Sequence, residues 1–133
     1  MKRIISLICV MAMICCALAS CGEKPGEFVK LDPESINSMA WITGGTNSMS
    51  KEDINKIAEI YNGLTPDGGV SDKLDEKAEW RILVTELPEG STPSIFRISY
   101  IGDFRFTVRI DGPDRSSYTV TSEELYNALE ATR

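Results

Sequence analysis

The chain holds four cysteines, Cys9, Cys15, Cys16 and Cys21, all within its first 21 residues. Thiols so crowded can form disulfides, ligate a metal or take part in a processing reaction, and each use implies a different protein. Histidine is absent from the sequence. Ser-His-Asp and Cys-His catalysis and zinc sites of ordinary composition therefore drop out. Serine–lysine chemistry and paired carboxylates remain open. The acids Asp67, Asp72, Asp75 and Glu76 offer the oxygen ligands that calcium takes, but they lack the order of an EF-hand loop, and Lys73 and Lys77 interleave with them. A solvated loop is the plainer reading, so neither a metal nor a dissociable cofactor is expected.

The cysteines resolve through their surroundings. Met1-Lys2-Arg3 precede an uncharged run from Ile4 to Ser20, about 17 residues against the roughly 20 needed to cross a bilayer as a permanent helix. A positive start, an apolar run and small residues at its end make a secretory signal. The closing Leu18-Ala19-Ser20-Cys21 resembles the lipobox of bacterial lipoproteins. That resemblance implies that the Cys21 thiol is alkylated by a diacylglyceryl group and that the chain is cut between Ser20 and Cys21. An uncleaved anchor helix with incidental cysteines is the competing reading.

Cleavage there would leave 113 residues, one domain's worth. It would remove Lys2 and Arg3 from the fourteen basic residues and none of the twenty acidic ones, moving the net charge from −6 to −8. The lipidated Cys21 would be the last cysteine, so no intramolecular disulfide forms and stability rests on the core. Residues 1–20 are thus expected to be the signal peptide, 21–30 the lipidated cysteine with a flexible tether, and 31–133 a single domain. A tether from Gly22 to Lys30 would reach about 30 Å from the bilayer. The expected location is the extracytoplasmic side of the cell membrane. An outer membrane stays open for a Gram-negative host, because Gly22 stands where an aspartate would favour inner-membrane retention.

The elements that must position any site follow from periodicity. Ser35 to Thr43 alternates Ile36, Ala40 and Ile42 with other residues and reads as a strand, in competition with a helix starting at Asp32-Pro33, and Gly44-Gly45 ends either element. Ser50 caps a helix whose Ile54, Ile57, Ala58 and Tyr61 form one stripe, and Gly63 is expected to end it in the left-handed conformation. Residues 65–78 read as a polar loop. Strands follow at 79–87, 94–100 and 104–110, with a short one near 117–120. A three-residue loop, Ile101-Gly102-Asp103, would pair Tyr100 with Phe104, Ile98 with Phe106 and Phe96 with Val108, giving one apolar face, with Gly102 or Asp103 left-handed. Thr121-Ser122-Glu123-Glu124 forms a capping box before Leu125, Ala128 and Leu129. The expected fold class is α+β: a two-layer domain with an antiparallel sheet of about four strands and two helices on one face, in the order β-α-β-β-β-(β)-α.

With that register Arg97, Arg105 and Arg109 point away from the core together, and Arg81 joins them if Trp80, Ile82 and Val84 face inward. Guanidinium forks suit carboxylates and phosphates. The four arginines are therefore the candidate binding residues, for a partner protein's acidic patch, an anionic envelope polymer or lipid headgroups. A solvent-facing sheet whose arginines pair with local acids such as Glu79 is the plainer alternative. Nucleic acid is not expected of an exported protein of net charge −8. Trp41 and Trp80 sit in alternating stretches and read as core rather than ligand-stacking residues.

The phrase KEDINKIAEIYNGL, a following β-meander and the closing SYTVTSEELYNAL resemble the layout of small lipoproteins of unknown function from Gram-positive bacteria. The likeness is one of apolar positions and assigns no functional residue. The expected function is a non-enzymatic binding or interaction module, anchored at a membrane through Cys21 and meeting a protein or anionic envelope partner. A small cell-envelope hydrolase using carboxylates is the alternative.

Overall fold

A computed structural model describes residues 25–43, 48–90, 92–113 and 115–133. The expected signal peptide and lipobox with Cys21, Gly22 and the expected Gly44-Gly45 stop lie outside the described residues. The fold is α+β. Five strands, β1 (Ile36–Thr43), β2 (Trp80–Glu86), β3 (Ser94–Gly102), β4 (Arg105–Asp111) and β5 (Ser116–Thr121), form one antiparallel sheet in the order β1-β2-β3-β4-β5. Helices α1 (Lys51–Asn62) and α3 (Glu123–Glu130) cover one face, and a single-turn helix α2 (Asp72–Asp75) lies in the 65–78 segment. No described helix is long and apolar enough to cross a membrane.

The helices form for the reasons their sequences give. Ser50 accepts from the Asp53 amide at 3.2 Å, and Ile54, Ile57, Ala58 and Tyr61 are the buried stripe of α1. Gly63 ends it without the expected left-handed turn: its φ is −87°, and its amide bonds the Ile60 carbonyl at 3.2 Å. An ordinary right-handed last turn suffices there. In α3 the cap is Ser122, accepting from the Leu125 amide at 3.0 Å. Thr121, expected as the cap, instead closes β5.

The β3–β4 register differs from expectation by two residues. Tyr100 pairs with Phe106, Ile98 with Val108 and Phe96 with Ile110, and the turn is the two residues Asp103-Phe104, with φ of 55° and 59°. Two consecutive positive φ angles make the turn whose twist matches that of paired strands. An irregularity between Tyr100 and Gly102 absorbs the odd residue. Phe104 is thus a turn residue, 37% exposed with its ring edge-on to Tyr126, and not the inward residue expected. Side chains alternate with period two, so a shift of two leaves every other β4 residue on its expected face.

In β1 the inward pair is Met39 and Trp41, opposite Val84 and Ile82, rather than Ala40 and Ile42. The run Met39-Ala40-Trp41-Ile42 is apolar at both parities, and the larger pair fills the core. Trp41 stacks obliquely on Trp80 at 4.7 Å, and Trp80 on Tyr100 at 5.1 Å, so both tryptophans are core residues as expected.

Segment 26–30, expected as tether, is pinned to the domain. The Gly26 amide donates to the Ser117 carbonyl at 2.8 Å, and Ser116 Oγ donates to the Glu27 carbonyl at 2.7 Å. A side chain at Gly26 would run into Ser116 Oγ and the Ser117 backbone. Phe28 packs between Tyr61 and Tyr118, each at 5.3 Å. Both tyrosine hydroxyls donate to the Val29 carbonyl, at 3.1 and 3.2 Å, and they also meet each other. Burial pushes the proton affinity of both phenols up, Tyr61 far above the ordinary range. Gly26, with Asp67 and Gly68 farther along, covers the free edge of β5.

At the other end of the inward face Glu86 is buried, and its Oε1 accepts from the Asp32 amide at 2.8 Å. Burial raises its pKa above the ordinary glutamate value; the amide bond opposes this and the Asp32 carboxylate adds to it. A carboxyl whose folded pKa is raised contributes stability that is fully present below its unfolded pKa of about 4.3 and is lost as pH rises through the folded value. Glu86→Gln, which keeps an acceptor for Asp32, should therefore raise the melting temperature at pH 7. The gain should shrink toward pH 4 in parallel thermal melts.

Candidate functional site

The second face of the sheet, opposite the helices, divides in two. One cross-strand row runs Arg81, Ser99, Thr107, Thr119, and the next runs Leu83, Arg97, Arg109, Ser117. The 65–78 segment covers the first row. Asp67 accepts from Thr119 Oγ1 at 2.6 Å and from Thr121 Oγ1 at 2.5 Å, while its amide donates to the Thr119 carbonyl. Asp75, whose side chain is 15% exposed, accepts from Thr107 Oγ1 at 3.1 Å and faces the Arg81 and Arg109 guanidinium groups at 3.9 and 4.0 Å. Arg81 also donates to the Asp75 carbonyl at 3.1 Å, and Arg109 to Asp72 Oδ1 at 3.1 Å. Asp67, Asp72 and Asp75, expected in a solvated loop, are thus the clasp that holds this segment onto the sheet. Among the described residues no three acidic or cysteine side chains converge as metal ligands would.

All four candidate arginines lie on this second face, yet the structure separates them. Arg81 and Arg109 are clasped by Asp75 and Asp72, not by Glu79. Arg105 stands beside the hairpin turn, paired with Thr121. It lies four residues along β4 from Arg109, about 13 Å. Arg97 is exposed, directly opposite Arg109, and has no carboxylate partner among the described residues. Like charges opposite one another on a sheet face repel, their Cβ atoms only about 5 Å apart.

A cavity of about 570 Å³ opens over this pair. Its walls carry Arg97, Arg109 and Arg115, with Ser116 and Ser117 of β5 and the docked Gly26-Glu27 closing one side. Asp111 also lines it, 3.9 Å from Arg115, so the lining holds three guanidinium groups against the carboxylates of Glu27 and Asp111. Arg115 and Glu27 were not among the candidates from sequence. Arg115 follows the β4–β5 turn and Glu27 lies in a segment read as tether, so periodicity gave neither a face. The arrangement is suited to holding an anionic group, since Arg97 offers unspent donors and the Ser117 hydroxyl adds another, the Ser116 hydroxyl being committed to the Glu27 carbonyl.

A serine–lysine spacing also occurs, Ser48-Met49-Ser50-Lys51. Ser48 bridges to Ala40 beside β1 while Lys51 begins α1. The serine therefore lies outside the helix that would have to set it one turn below the lysine. Comparison with protein-family models, with curated proteins and with solved structures gives no match to this chain.

Proposed function

We propose that the chain is a non-enzymatic binding module, held at the extracytoplasmic side of a membrane by lipid on Cys21, that takes up a phosphate or carboxylate group in the Arg97–Arg109–Arg115 cavity. One observation carries the reading: Arg97 faces Arg109 across the strand pair, and only Arg109 has carboxylate partners among the described residues. A bound anion would relieve that repulsion and accept hydrogen bonds from both guanidinium groups. Charge-assisted bonds of this kind contribute about 1.5–3 kcal/mol, and each 1.4 kcal/mol corresponds to about tenfold in affinity.

Glycerol phosphate should accordingly raise the melting temperature of the protein in a concentration-dependent way. Arg97→Glu should weaken the apparent affinity at least about tenfold, whereas Arg105→Glu, remote from the cavity, should leave it unchanged. Equal loss in both variants would replace a local site with a diffuse charge effect.

The second reading, a cell-envelope hydrolase using carboxylates, draws on Glu27 and Asp111 sharing the cavity. Both are exposed, and Asp111 faces Arg115. Loss of envelope-polymer hydrolysis in Glu27→Gln and Asp111→Asn would favour it over simple binding.

A further inference from the structure

The open part of the second face is apolar as well as cationic. Ile95, two residues along β3 from Arg97, is 39% exposed, and half-buried Leu83 lies beside Arg97. The helical side carries exposed Glu52, Glu59, Glu123 and Glu124 against exposed Lys51 and Lys56, so its glutamates outnumber its lysines. Gly26, a wall of the arginine cavity, is fixed to β5 five residues after Cys21. Five residues span at most about 17 Å, so an anchor at Cys21 cannot lie farther than that from the Gly26 backbone.

We propose that the open half of the second face docks onto the leaflet that holds the anchor, with the phosphate of an anionic phospholipid between Arg97, Arg109 and Arg115 and with Ile95 and Leu83 at the headgroup boundary. This rests on the anion-binding reading of the cavity and on lipidation of Cys21. Three features favour a lipid headgroup over an acidic protein segment. The short leash keeps the cavity within reach of the membrane and makes headgroups its most concentrated anion. Apolar side chains beside arginines match the interface, where the former enter the acyl boundary and the latter reach phosphates. The glutamates on the helical side are repelled by an anionic surface, which sets the orientation. The domain would then lie down on the membrane, with its helices outward.

The test uses the lipidated protein in vesicles of phosphatidylcholine alone or with phosphatidylglycerol, and a headgroup-spin-labelled lipid as quencher. A fluorophore is attached at Ile95→Cys or, on the solvent side of α1, at Asn55→Cys. With phosphatidylglycerol present the Ile95 probe should be quenched about threefold more than the Asn55 probe. Arg97→Glu with Arg115→Glu, or salt at about 0.5 M, should remove the difference. Equal quenching at both sites, or no response to phosphatidylglycerol, overturns the proposal. Glycerol phosphate melts on the same protein separate the two failures. If the soluble ligand still acts through Arg97, the cavity reading stands and docking alone falls, leaving the face to an acidic protein segment; if it does not, both fall.

Discussion

Tyr61→Ala is expected to destabilise the domain by about 3–5 kcal/mol, the range for deleting a large buried ring. The loss is more than a cavity. Tyr61 packs on Phe28 and edge-on against Phe96, and its hydroxyl donates to the Val29 carbonyl, so it ties α1 to both the sheet and segment 26–30. Without it Gly26 and Glu27 lose the support that keeps them in the cavity wall, and anion binding should weaken even where the variant stays folded. Tyr61→Phe keeps the ring and loses only the hydroxyl bonds, about 1 kcal/mol. Chemical unfolding of both variants measures the gap. Equal effects would mean that the hydroxyl bonds, and not the ring, secure the segment.

Asp75→Ala is expected to destabilise by about 2–3 kcal/mol, because removing a largely buried carboxylate leaves Thr107 Oγ1 without its acceptor and takes the nearest buried countercharge from Arg81, which keeps only the residue-75 carbonyl, while Arg109 falls back on exposed Asp72. Asp75→Asn retains an acceptor for Thr107 and should lose about half as much. The amides of residues 67–76 should exchange with solvent faster in Asp75→Ala while those of β3 and β4 slow-exchange as before, since the clasp opens without the sheet. Freed from Asp75, Arg109 should bind an anion more readily in the variant. Destabilisation below about 0.5 kcal/mol would mark the clasp as an ordinary surface pairing.

The parts of the fold legible in the sequence are those governed by period and capping. Ser50 and the Ile54-Ile57-Ala58-Tyr61 stripe made α1 readable, and the alternation Phe96-Ile98-Tyr100 made the inward side of β3 readable. The register of the hairpin was not, because pairings two residues apart give equally apolar faces and differ only in the turn. There a phenylalanine at positive φ stands where glycine or asparagine would have announced the turn. The inward face of β1 was hidden by apolar residues at both parities.

The site was legible by half. Strand parity put four arginines on one face, and all four lie there. Which of them are spent depends on Asp72 and Asp75, which reach Arg109 and Arg81 across an irregular segment. Arg115 and Glu27 enter through a turn and a docked N-terminal segment, where no period operates. Long-range contacts between irregular segments and a sheet leave no signal in a single sequence.

The most direct test of the account is a titration of isotope-labelled residues 22–133 with glycerol phosphate, followed by backbone amide resonances. The account predicts saturable shifts concentrated at Arg97, Arg109, Ser116, Ser117 and Gly26, absent in Arg97→Glu. Shifts spread evenly over the basic residues, centred on Arg105 and Thr121, or missing altogether would contradict it.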